Sequence, residues 1–131
     1  MKPYKIFDYE KFKNISGELL PITFDKKFPI KVKRIFFIYG KKKYKRGDHA
    51  HKKCSQVFYP LFGKFQIAIQ SKKIKKIISL DSKKNKAILV HPKTWCHVKF
   101  LTKNAIILVL CDYKYDFKDY IESYEDFVNN Y

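Results

Sequence analysis

Apolar and polar residues exchange places along this chain with the period of a strand. Phe65, Ile67 and Ile69 alternate with Lys64, Gln66, Ala68 and Gln70. Successive side chains of a strand point to opposite faces, so this pattern predicts a strand with one buried face. The apolar run Gln56-Val57-Phe58-Tyr59-Pro60-Leu61 stands before it, and Phe62-Gly63-Lys64 supplies the turn of a hairpin. Ser71-Lys72-Lys73 leads to a strand over Ile74 to Leu80, Asp81 to Asn85 leads to one over Ala87 to His91, and Asn104 to Leu110 closes the sheet region. Ile35-Phe36-Phe37-Ile38 is apolar without alternation inside a strand-like stretch from Ile30 to Tyr39, which predicts a strand covered on both sides. Short strands at nearly regular spacing predict an all-β sandwich or barrel.

The two ends read differently. Tyr4-Lys5-Ile6-Phe7 and Glu18-Leu19-Leu20-Pro21-Ile22 predict brief strands on either side of a turn at Asn14-Ile15-Ser16-Gly17, and Pro21 restricts the second to an edge. Tyr113 to Tyr131 carries Tyr120, Tyr124, Phe127 and Val128 at roughly helical spacing, which predicts a short helix packed on the barrel. The pattern contains no solenoid repeat, low-complexity tract or linker, and 131 residues suffice for one domain with its own core, so residues 1–131 are expected to form one domain.

Charge widens the choice of partner before the motifs narrow it. A formal net charge of +17 admits a basic nucleic-acid-binding module. The excess is mostly lysine spread along the chain, however, and arginine, the residue suited to bidentate reading of phosphates and bases, stands only at Arg34 and Arg46. A solvated lysine surface is the plainer expectation, with no nucleic acid as partner. Three cysteines, Cys54, Cys96 and Cys111, form no paired framework and suit a reducing compartment. The first residues lack the apolar run of a signal peptide, and no segment has the length of a membrane span, so a cytoplasmic protein without membrane contact is expected.

The densest chemistry lies in Arg46-Gly47-Asp48-His49-Ala50-His51-Lys52-Lys53-Cys54-Ser55-Gln56. In a strand His49 and His51 project to one face, with the Arg46 cation before them and the neutral Gln56 amide after them. Such a face suits a polar, anionic small molecule. An imidazole pair in a β-barrel first suggests a metal centre, with His97 as a further ligand. The position expected to carry a carboxylate ligand carries Gln56. Without a metal, the pair suits acid–base work near neutral pH, and neighbouring like charges oppose double protonation. A purely structural pair is the bland alternative. Arg34 either anchors a phosphate or faces solvent, and Trp95 and His97 either form a packed loop under the barrel mouth or line the substrate. The three thiols lack an activating signature and read as buried and inert. Lys41-Lys42-Lys43 reads as a solvated loop.

The chain resembles the nucleotide-sugar 3,4-ketoisomerases, small cupins acting on dTDP-linked 4-keto-6-deoxyhexoses. The resemblance rests on Lys33-Arg34-Ile35-Phe36-Phe37-Ile38-Tyr39, the Arg46-to-Lys53 stretch with Gln56, Pro92-Lys93-Thr94-Trp95-Cys96-His97, and Leu108-to-Tyr113 running into Asp119-Tyr120-Ile121-Glu122-Ser123-Tyr124-Glu125-Asp126-Phe127. It implies a cupin double-stranded β-helix (jelly-roll barrel) with a short C-terminal helix, no cofactor or metal, and a homodimer that exchanges amino-terminal strands. It further implies His49 and His51 as the catalytic pair, with Arg46, Arg34, Tyr39, Gln56, Trp95 and His97 as the substrate-binding set. The implied activity isomerises dTDP-4-keto-6-deoxyglucose to a 3-keto sugar for 3-amino-3,6-dideoxyhexose synthesis. An epimerase or metal-dependent enzyme on the same fold is the nearest alternative. Three positions depart from the family pattern: Phe36 and Phe37 stand where tyrosines are common, Ser16 precedes Gly17 where arginine is usual, and Glu122 replaces a frequent arginine.

Overall fold

Two five-stranded antiparallel sheets face each other across the main core in the computed structural model, which describes residues 2–131. The first sheet holds, in spatial order, β1 (Tyr4–Asp8), β9 (Lys86–Val90), β6 (Gln56–Phe62), β11 (Ile106–Cys111) and β4 (Arg34–Tyr39). The second holds β12 (Tyr120–Ile121), β5 (Lys45–His51), β10 (Trp95–Phe100), β7 (Lys64–Gln70) and β8 (Lys75–Asp81). From β4 to β11 the chain crosses between the sheets at every step except the β7–β8 hairpin, the winding of a cupin double-stranded β-helix. A separate hairpin pairs β2 (Phe12–Asn14) with β3 (Gly17–Leu19).

Side-chain alternation explains which strands bury one face and which bury two. β7 follows its sequence pattern: Phe65, Ile67 and Ile69 are fully buried, and they meet Val98, Phe100, Phe58, Ile88, Ile107 and Val109 between the sheets. Each such aliphatic or aromatic side chain contributes about 1.5–3 kcal/mol on burial. The continuous apolar runs of β6 and β11 are covered twice. Val57, Tyr59, Leu108 and Leu110 turn to the outside of the first sheet, where Leu20, Ile22, Phe28, Ile30 and Val32 pack over them. Residues 20–32 therefore serve as a cover for that face rather than as strands.

Three expectations need correction. The strand expected over Ile30 to Tyr39 begins only at Arg34, and it is not covered on both sides. β4 lies at the edge of its sheet, beyond the cover formed by residues 20–32, and Ile35, Phe37 and Tyr39 are exposed. Trp95 to His97, which the sequence leaves open between a packed loop and a substrate-lining stretch, opens strand β10, because Cys96, Val98 and Phe100 alternate inward. The tail is α-helical only over α1 (Tyr124–Asn130), which Ser123 caps by accepting the Asp126 N–H at 3.1 Å, and a single 3-10 turn at Phe117–Asp119 precedes it. Between the two, Tyr120 and Ile121 pair with His51 and Ala50, so this part of the tail extends the second sheet.

Candidate active site

The site begins with an irregularity in β5. Directly opposed residues of a strand pair share a face, and β10 offers Cys96 and Val98 to the core. Their partners across the pair are His49 and Arg46, with a register shift between Cys96 and His97. Strict alternation would send residues three apart to opposite faces. A bulge at Gly47 and Asp48, with φ of 102° and 64°, absorbs the extra residue and brings the arginine to the histidine side. A Cβ at Gly47 would stand 3.2 Å from Cys96 O and from His97 Cα, so the backbone angle strains any other residue and the space around it is tight.

His49 and His51 then stand with ring centroids 5.1 Å apart. Tyr120 stacks on His49 at 5.0 Å and 13°, and lies 4.4 Å from the His51 ring. His51 Nδ1 is 3.0 Å from Asp119 Oδ2, and both residues are buried. The same carboxylate accepts the backbone N–H groups of Lys53 at 2.7 Å and Cys54 at 3.4 Å. A carboxylate held by backbone donors acts as an acceptor, so neutral His51 carries its proton on Nδ1 and leaves its lone pair on Nε2. Among the described residues, His51 Nε2 and His49 Nδ1 are buried without hydrogen-bond partners. Two orphaned imidazole nitrogens on adjoining rings are costly unless a ligand or water meets them.

Burial keeps both rings uncharged. His49 is pushed down to about 4, first by burial and then by the adjacent His51, against a smaller opposing effect of Asp48. His51 is also lowered: burial outweighs the bond to Asp119, and Arg34 adds to the depression. The pair is thus neutral at physiological pH and available to accept protons.

A second row of side chains crosses the first sheet beside the pair. Cys111 has Arg34 and Gln56 as its partners on the two neighbouring strands, and it receives hydrogen bonds from Arg34 Nη2 at 3.7 Å and Gln56 Nε2 at 3.6 Å. The Arg34 guanidinium lies 5.2 Å from the Phe36 ring and 5.4 Å from Tyr115, so it faces the site rather than open solvent. A cavity of about 350 Å³ adjoins, bounded by Phe36, Tyr39, Arg46, Gln56, Cys96 and His97 among others. The histidine rings do not belong to its wall, but Cys96, the cross-strand partner of His49, does.

The expected residues are therefore distributed unequally. Arg46, Gln56 and Tyr39 border the cavity, and Arg34 lies outside its wall, near enough for its charge to act on His51. His97 shares the outward face of β10, where its Nδ1 lies 3.1 Å from Asp48 Oδ1, and it touches the cavity only at its edge. Trp95 does not reach the cavity: the alternation of β10 turns it outward, where it packs with Ala50, Ile121 and Phe127 under α1. Asp119 and Tyr120 were not anticipated as site residues. Their segment was expected to be helical, and a carboxylate that meets His51 only through tertiary folding leaves no mark in local spacing.

The matching family model is FdtA (WxcM-like, C-terminal), over residues 2–131. A TDP-4-oxo-6-deoxy-alpha-D-glucose-3,4-oxoisomerase of Aneurinibacillus thermoaerophilus is 32% identical over 124 residues, which is 94% of this chain and 88% of that protein. The structure of QdtA, a sugar 3,4-ketoisomerase from Thermoanaerobacterium thermosaccharolyticum in complex with TDP, superposes with a TM-score of 0.89 at 28% identity, covering 97% of this chain and 93% of that one. WlaRA, a TDP-fucose-3,4-ketoisomerase from Campylobacter jejuni, gives 0.86 at 31% identity, covering 98% and 95%.

Proposed function

This chain belongs to the FdtA family of sugar 3,4-ketoisomerases, and from that premise we propose that it converts dTDP-4-keto-6-deoxyglucose into a dTDP-3-keto-6-deoxyhexose. The single observation that carries the mechanism is the neutral, adjoining imidazole pair, backed by Asp119 and set beside the Arg46-rimmed cavity.

The chemistry follows from the substrate. The C4 carbonyl acidifies the hydrogen on C3, and His49 accepts that proton. The electron pair left on C3 forms the double bond to C4, and the former carbonyl oxygen becomes an enediolate oxygen. Arg46 offsets its charge. His51 Nε2 accepts the C3 hydroxyl proton and passes it to the C4 oxygen, while the proton held by His49, exchanged with solvent, returns at C4; the carbonyl then rests on C3 and a hydroxyl on C4. Asp119 holds His51 in the tautomer whose Nε2 faces the reaction. Every bond change is a proton transfer, so no net electron transfer is required. On this reading Arg34, Gln56 and Tyr39 grip the sugar and its phosphates, with His97 at the edge of the cavity.

The active form is proposed to be a homodimer that exchanges amino-terminal strands. The β2–β3 hairpin supports this: Phe12, Ile15 and Leu19 are exposed on it, and the β4 edge adds the exposed Ile35 and Phe37. The three free, buried thiols favour a reducing, cytoplasmic setting. The new C3 ketone is the group an aminotransferase would require to make a 3-amino-3,6-dideoxyhexose, in keeping with a surface-glycan role.

Proton NMR of dTDP-4-keto-6-deoxyglucose in D2O, with wild-type protein and chelator present, tests the reading. A 3-keto product carrying deuterium at C4, absent with His49→Ala, is expected. Substrate that keeps all its hydrogens, with no product formed, sinks it.

A further inference from the structure

Around the Nδ1 edge of His51 a second set of donors meets. His51 Nδ1, Cys54 Sγ and a carboxylate oxygen of Asp119 lie within 4.8 Å of one another, and all three residues are buried. They come from three separate places in the chain: the end of β5, the turn between β5 and β6, and the 3-10 turn Phe117–Asp119. The backbone holds them together, since the Lys53 and Cys54 N–H groups both bond Asp119. The isomerisation uses the His51 ring and Asp119, whereas the Cys54 thiol, which donates to Ser55 O at 3.4 Å and also lies against the Cys111 sulfur, has no part in it.

One imidazole nitrogen, one sulfur and one carboxylate form a donor set of the zinc type. Bonds of about 2.0–2.3 Å to a tetrahedral ion put neighbouring donors roughly 3.3–3.7 Å apart, so a span of at most 4.8 Å needs only a small contraction. Charge also favours a cation. Asp119 stands in the cluster and the Asp112 carboxylate binds the next backbone N–H, Ser55, at 2.7 Å; Arg34, beside Cys111, is the opposing positive group. The cluster differs from a metal centre built on the imidazole pair itself, which would need both rings and a carboxylate where Gln56 stands.

We propose that His51, Cys54 and Asp119 form a binding site for a thiophilic divalent cation of the Zn²⁺ class. Binding expels the Cys54 thiol proton to solvent and moves the single N–H of neutral His51 from Nδ1 to Nε2. One proton is released per ion. A protonated Nε2 no longer accepts a proton, so the bound ion switches the enzyme off; that consequence, unlike the binding itself, rests on the isomerase reading.

The test uses the full chain stripped with chelator and titrated with Co²⁺ and then Zn²⁺. One Co²⁺ per chain is expected, with a near-ultraviolet thiolate-to-cobalt charge-transfer band that Zn²⁺ abolishes by displacement. Solvent-hydrogen exchange into the sugar should stop with Zn²⁺ and return with chelator. Cys54→Ser should lose the band, bind Zn²⁺ about 100-fold more weakly and keep its exchange activity in the presence of Zn²⁺. Asp119→Asn, which leaves the thiol in place, should weaken binding as well and serves if Cys54→Ser does not fold. No band at equivalence, a band and affinity unchanged in either variant, or binding abolished by His49→Ala overturns the site. A Cys54-dependent band in a protein that exchanges no substrate hydrogen upholds the site and overturns the isomerase reading.

Discussion

His51 Nδ1 and Asp119 Oδ2 stand 3.0 Å apart although 68 positions separate the two residues in the chain. The contact fixes a tautomer rather than merely filling space, because the carboxylate also gathers two backbone N–H groups and cannot turn away. Asp119→Asn keeps the volume and most of the packing but presents an amide that can donate to Nδ1. The His51 proton then moves to Nε2. A fall in kcat of about 100-fold or more is expected, with KM nearly unchanged. Steady-state kinetics with the dTDP-linked substrate check it, and an equal rise in KM would assign Asp119 to substrate binding instead.

Acid should act on activity and stability in the same direction. His49 titrates at about 4 in the folded chain against an ordinary value of 6.5. A base works unprotonated, so the acid limb of kcat/KM is expected near pH 4 rather than above 6. Between those two values the unfolded chain binds a proton that the folded chain refuses. Stability therefore falls as pH drops from 6.5 towards 4, and above 6.5 this group adds no slope. Urea midpoints at pH 7 and pH 5 should show the loss, and His49→Asn should remove part of it. An identical pH slope in that variant would place the effect elsewhere.

The sheet was legible wherever one face met the core and the other met water, as in β7, since alternation records that difference directly. It was less legible in β4, where Ile35 and Phe37 are apolar yet exposed. Apolar character reports that a residue prefers cover, not that its own chain supplies it. Among the site residues, the imidazole pair could be read from a spacing of two. Arg46 shares its side only through the bulge, which the period of a strand does not encode. The place of Trp95 under α1 is set by tertiary packing that its spacing does not encode, and Asp119 carries no local signal because its partner is distant in sequence.

Gly47→Ala tests the bulge. At φ of 102° any side chain is strained, and the new methyl would press on Cys96 O and His97 Cα. A loss of about 1–3 kcal/mol is expected, read from the urea midpoint. Activity should fall further than stability explains, because relief of the strain rotates Arg46 away from the histidine face. A variant that is less stable but fully active at low temperature would separate the bulge from the placement of Arg46.

The amino-terminal hairpin yields the last prediction. Ile15 is fully exposed at its tip, and Phe12 and Leu19, paired across it, are more than half exposed. A two-stranded hairpin with no apolar partner is marginal in water, so in the proposed dimer these residues pack on the second copy. Ile15→Asp combined with Phe12→Ser removes that cover while leaving the inter-sheet core, to which neither residue belongs. Sedimentation should then report half the wild-type mass, with the far-ultraviolet dichroism of the sheets retained. If the hairpin also borders the partner's cavity, kcat/KM falls together with the mass and recovers at protein concentrations that restore the dimer. A wild-type chain that sediments as a monomer would remove the basis for the exchange, and a double variant that remains dimeric would move the interface to the exposed edge of β4.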